Sequence, residues 1–292
     1  MLFTNGATTA NLALDAGNVI VNSLGNTGAG NETFTIADNV TGGFMAITGN
    51  TTVSGGNLTF VLSNDATTLT FGGNITESNS KITLIKANDT DIVKFTNTGN
   101  IDARVNGTGA NKGTITLGGT TTFDDIVGGT AVVKAMNVEA GKSGTFGAAI
   151  DVTTVANLGT LTLSAASGFN TLTNSGTVNL NALLTDVAAN NEAAVVMHTT
   201  GSILNLNASG NVNQDAIITG TTDGFGTINI FDGTDDEAGG ITTLLAGSLI
   251  GTDAKRIGTL NIGKADGTSA GNLVTVNAAA IFADNINITG GN

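Results

Sequence analysis

A five-residue phrase, Gly-Thr-apolar-polar-apolar, recurs along the chain. It reads GTITL at 113–117, GTLTL at 159–163, GTVNL at 176–180, GTINI at 226–230 and GTLNI at 258–262. Looser versions are GNLTF at 56–60, GNITE at 73–77, GNIDA at 99–103, GSILNL at 201–206 and NINIT at 285–289. Similar stretches without the glycine, TTLTF at 67–71 and KITLI at 81–85, lie between them. Stacked repeats and compact domains bury apolar residues in different ways, so the repeat governs every later inference.

The phrase has a direct physical reading. Gly or Asn supplies the positive φ of a tight turn. The residues after it alternate with period two, as in a short strand. Leu161 and Leu163 then share one side and Thr160 and Thr162 the other, as do Val178 and Leu180 against Thr177 and Asn179. Apolar pairs starting near Leu58, Leu69, Ile82 and Ile92 lie about ten to thirteen residues apart. Later ones, at Val178, Ile203 or Leu204, Ile228, Leu260 and Ile286, lie roughly 24 to 32 apart. Two to three short strands per coil of about 22–26 residues reconcile both sets. The predicted fold is all-β: a right-handed parallel β-helix, or β-solenoid, over 1–292 as a single region. Leu161 and Val178 stand closer in sequence than one such coil, which predicts that they occupy different faces.

Composition agrees with a solenoid. The chain has no Pro, and Gly supplies 42 of its 292 residues. Pro would remove an amide from a ladder shared with both neighbouring coils. Hydrophobic residues reach 40% against 11% charged, which argues for folding rather than disorder. Thr and Asn suit hydrogen-bonded ladders at corners and on outer faces. One or two small irregular or helical excursions are expected. NALLTDVAANNEAAVV at 181–196 places Leu183, Leu184, Val187 and Ala188 at helical spacing, and TTLLAGSLIGTDAKR at 242–256 is a second candidate insertion. The phrase lapses over 124–150, where irregular coils are predicted, with a domain break as the alternative.

Ten basic against 23 acidic residues give a net charge of −13. That balance disfavours nucleic acid, whose phosphates demand Lys and Arg, and anionic lipid. No stretch approaches the ~20 apolar residues of a membrane helix, so no direct membrane insertion is expected. With no Cys there is neither a disulfide framework nor thiolate chemistry.

The catalytic inventory is thin. His198 is the only histidine, in VVMHTTG, without a nucleophile elbow beside it. A solvent-facing strand position is its expected role. EAGKSG at 139–144 ends like a phosphate loop, but Met136 stands where the first glycine belongs. The densest carboxylates are in FDGTDDEAGG at 231–240: Asp232, Asp235, Asp236 and Glu237. Hard oxygen donors at this density suit Ca²⁺, and they form the candidate metal site. The stretch lacks both the EF-hand spacing and the glycine-rich calcium repeat, so a solvated acidic loop is the plain alternative. No other cofactor is expected. A polysaccharide-cleaving or carbohydrate-binding β-helix is a further alternative. It is disfavoured by the absence of Trp and Tyr, which stack on sugar rings. The chain is therefore expected not to be an enzyme.

The Gly/Asn/Thr/Ala-rich text, with GTITLGGTTTF at 113–123, GTLTL, GTVNL and GTINIFDG at 226–233, resembles the passenger regions of bacterial autotransporter surface proteins. It is most similar to the rickettsial surface antigens of the outer membrane protein A and B type. The resemblance is one of texture over nearly the whole chain. It implies a stretch of a longer passenger, displayed on the bacterial surface and tethered to the outer membrane through a part outside this sequence. It further implies a non-enzymatic role in surface coating, host-cell attachment and immune exposure. The implied partners are a host-cell surface protein or other copies of the chain. A self-assembling surface-layer protein is the alternative within the same picture.

Overall fold

The structure, a computed structural model, describes residues 2–3, 9–14, 19–27, 30–38, 43–54, 56–62, 67–77, 83–185, 193–208, 212–214, 216–232, 242–244, 248–263 and 276–289. The chain forms two compact units, Met1–Thr153 and Thr154–Asn292. Both are all-β, and their strands pair in parallel from coil to coil, so each is a β-solenoid.

In the first unit the chain visits three sheets in rotation. One carries Leu24–Asn26, Thr51–Val53, Ile75–Glu77, Thr98–Ile101, Thr120–Phe123 and Ser143–Phe146. The next carries Glu32–Asp38, Leu58–Leu62, Thr83–Ala87 and Arg104–Gly107. The third carries Phe44–Ile47, Thr68–Phe71, Ile92–Phe95, Lys112–Leu117 and Val133–Val138. Contacts one coil apart span 24 residues from Asn50 to Asn74 and 25 from Phe71 to Thr96. The shorter step from Leu58 to Leu69 is the passage from the second sheet to the third. The stretch 124–150 keeps the winding, contributing Val133–Val138 and Ser143–Phe146. Val127 bridges Val105 on one side and Ile150 on the other.

Alternation decides which side chains enter the core. In Leu58–Leu62 every second residue is buried, and Thr68–Phe71 and Ile92–Phe95 follow the same rule. Parallel register places like over like. Leu69 lies beside Val93 and Phe71 beside Phe95. The phenylalanines join into a chain of rings. Phe71 stacks on Phe95 with centroids 5.5 Å apart, and Phe123 on Phe146 at 4.7 Å. Edge contacts link Phe60 to Phe71 at 5.4 Å and Phe95 to Phe123 at 5.0 Å. These five rings are almost wholly buried.

The second unit repeats the scheme. One sheet carries Thr160–Leu163, Thr177–Leu180, Ile203–Ala208, Phe225–Asp232, Ile257–Gly263 and Ala283–Thr289. A second carries Thr171–Asn174, Ala193–Met197, Ala216–Gly220, Leu249–Ile250 and Ala280–Ile281. A third carries Ser167–Gly168, Leu184–Thr185, Val212–Gln214 and Thr242–Leu244. Leu161 pairs directly with Val178, which corrects the expectation that they lie on different faces. The coil between them is short: Thr162 and Asn179, 17 residues apart, are hydrogen-bonded neighbours. Later coils span 26, 24 and 32 residues with the register kept. Coil length varies freely because the ladder is set strand by strand, while the connections absorb insertions.

Two further expectations change. In both candidate excursions, the described segments include strands and no helix: Leu184–Thr185 and Ala193–Met197 in one, Thr242–Leu244 and Leu249–Ile250 in the other. Val187 and Ala188 lie outside the described residues. Pairing with the coils on either side outweighs local spacing there. The glycine that opens the phrase also serves two purposes. Gly113 and Gly226 have φ of 75° and 79°, the left-handed region. Gly176 is instead a point of close approach, where a Cβ would run into the Gly159 carbonyl oxygen.

Candidate functional surface

The outward positions of the phrase build a polar face on the second unit. Asn205 donates its side-chain amide to Asn179 Oδ1 at 2.7 Å, and Asn229 to Asn205 at 2.7 Å. Asn261 donates to Asn229 at 2.7 Å and Asn287 to Asn261 at 2.8 Å. Asn179 closes the row on Thr162 Oγ1 at 3.0 Å. Each inner amide spends one donor and one acceptor on its neighbours, keeping one of each for a partner. A second column, Thr160, Thr177, Ile203, Thr227 and Thr259, is paired in the same register. No charged side chain occurs in either column. The surface is therefore an uncharged, pre-ordered array with one rung per coil.

Behind it, asparagine also closes corners from inside. Asn174 is fully buried. Its amide nitrogen donates to the Ile203 carbonyl at 2.8 Å, and its Oδ1 accepts from Gly176 N at 3.1 Å and Asn157 Nδ2 at 2.9 Å. Asn157, buried as well, donates to the Thr177 carbonyl at 2.9 Å and accepts from Gly159 N at 3.2 Å. These side chains hold the two short-coil phrases in place.

The first unit carries cross-coil charge pairs. Lys94 meets Glu139 at 2.6 Å, and Asp89 meets Lys134 at 3.0 Å and Lys112 at 3.3 Å. Hydrogen bonds from Lys134 and Lys112, with their charges, hold the exposed Asp89 carboxyl below the usual carboxylate range. Arg104 meets Asp125 at 2.9 Å. Burial alone raises Asp151. In the second unit, Arg256 is held above its usual range chiefly by a hydrogen bond to Asp253.

Of the residues singled out for calcium, Asp232 ends the strand Phe225–Asp232. Asp235, Asp236 and Glu237 lie outside the described residues. Among the described residues no three His, Cys, Asp or Glu side chains converge on a metal position. His198 is exposed at the end of Ala193–Met197, its Nδ1 3.5 Å from Thr221 Oγ1. Lys142 is exposed in the turn at Gly141, where φ is 69°. Sequence reasoning missed one grouping, Asp102 with Asp124. NIDAR and TFDDI each place Asp directly after an inward apolar residue, but only the coil register brings the two together.

Comparison with known protein families, with curated proteins and with solved structures finds no match to this chain.

Proposed function

We propose that the chain is part of the passenger of a bacterial autotransporter, a non-enzymatic surface protein that coats the cell and attaches it to host cells. The single observation that carries this reading is the Asn/Thr face. It is uncharged, and its asparagine row is continuous and fixed by its own hydrogen bonds, which suits contact over a broad area rather than chemistry at a point. Pre-ordered side chains lower the entropy lost on docking. The repeated Gly-Thr phrase and the textual resemblance to rickettsial surface antigens favour the same reading. Display on the bacterial surface and tethering through another part of the protein belong to it.

A self-assembling surface-layer protein is the alternative: a row with one amide rung per coil can also pair with the same row of a second copy.

Beads coated with the purified chain should bind cultured host cells, and free chain should compete them off. Replacing Asn205, Asn229 and Asn261 together by Asp, which keeps side-chain size but adds repelling charge, should reduce binding at least severalfold. Binding no greater than that of albumin-coated beads contradicts adhesion. Light scattering of the same preparation reports the alternative: a single-copy mass contradicts self-assembly, and larger species favour it.

A further inference from the structure

Several ionisable groups meet at one corner of the first unit. Asp102 follows the strand Thr98–Ile101 and Asp124 follows Thr120–Phe123, and these strands pair with Ile101 opposite Phe123. Asp124 therefore lies one coil on from Asp102. The Asp102 amide donates to the Ile75 carbonyl at 3.0 Å and the Asp124 amide to the Ile101 carbonyl at 3.4 Å. The two carboxyl groups therefore extend from neighbouring places on successive strands of one parallel sheet.

Among the described residues, the cation at this corner is engaged by a third carboxylate. Arg104 Nε donates to both oxygens of Asp125, at 3.1 and 2.9 Å, and is committed there. From the preceding coil, Glu77 presents its backbone N–H to Asp102 Oδ2 at 3.4 Å. On the following coil the equivalent position is Gly147, whose amide donates to the Phe123 carbonyl at 2.9 Å. Partial burial, with the charges of Asp124 and Asp125, holds the Asp102 carboxyl above its usual range, against the lowering effect of the Glu77 amide.

We propose that Asp102 and Asp124 form a proton-operated clasp between two consecutive coils. In the closed form one carboxylic acid donates its O–H to the other's carboxylate. When that proton leaves for solvent, two carboxylates face each other across one strand spacing and the corner loosens. The sign follows from linkage. A carboxyl whose folded pKa exceeds its unfolded value near 3.9 adds stability at low pH and loses it as pH rises through the folded pKa. The clasp therefore tightens in acid and opens towards neutrality, the reverse of an ion-paired aspartate.

Hydrogen exchange of segments 98–106 and 120–128, corrected for the chemical exchange rate, tests the clasp. In the intact chain local opening should rise with pH above about 4, by up to about tenfold per pH unit while the proton is being lost. Segment 112–117, on another sheet, should stay unchanged. Asp102→Asn should abolish the pH dependence, Asp124→Asn should weaken it, since partial burial still raises Asp102, and Asp223→Asn in the second unit should leave it intact. A flat profile in the intact chain, a slope that survives Asp102→Asn or is unchanged by Asp124→Asn, or its loss in Asp223→Asn overturns the proposal.

Discussion

Asn174 does with one side chain what a turn usually needs several groups to do. It ties its own coil to the Ile203 carbonyl, to the Gly176 amide and to Asn157. Removing it strands buried partners, and each group left unsatisfied costs about 1–3 kcal/mol. Asn174→Ala should therefore lower the urea midpoint clearly, while Thr200→Ala on the exposed turn after His198 should leave it nearly unchanged. Equal midpoints would show that the buried amide is not fully bonded. The sequence displays the residues of this corner, Asn-x-Gly-Thr at 157–160 and 174–177, but not its roles. The glycine reads as a turn former. At Gly176 it is needed because the Gly159 backbone passes too close for a Cβ. That requirement belongs to the preceding coil and leaves no local trace.

At the scale of the strand, period-two alternation is the legible part. Thr160–Leu163 and Thr177–Leu180 bury the leucines and valine that the pattern assigns inward. Which strand lies over which is much less legible. Sequence spacing adds strand and connection together, so the 17-residue step at Leu161 looks too short for a coil until register shows it to be one. The same confounding gives 181–196 a helical spacing where the described residues include strands and no helix. Inward and outward columns also differ in energy. Phe95 packs against Phe71 and Phe123 in the core. Phe95→Ala should cost about 3–5 kcal/mol. Asn229→Ala breaks two amide contacts on a part-exposed face, worth about 0.5–1.5 kcal/mol each. Chemical denaturation should rank the two in that order, and a reversed order would contradict the assignment of inside and outside.

At the scale of the molecule, repetition explains both what the chain does well and what it leaves out. Stacked coils pass register from neighbour to neighbour, so insertions such as the longer 32-residue coil leave the Asn row unbroken. On the proposed reading, function is spread over faces rather than gathered in a cleft. Repeats and composition reveal the solenoid because both follow from stacking. They do not reveal groupings such as Asp102 with Asp124, which depend on coil length.

The most direct measurement is of register across the short coil. The chain has no Cys, so paired substitutions act alone. Thr162→Cys with Asn179→Cys places two thiols on directly paired positions. Thr160→Cys with Asn179→Cys sets them two residues out of register. Stacking of Leu161 on Val178 predicts rapid intramolecular disulfide formation under mild oxidation in the first pair and little in the second. Equal rates, or faster closure of the second pair, would contradict the stacked coil from which the solenoid and its Asn/Thr face are built.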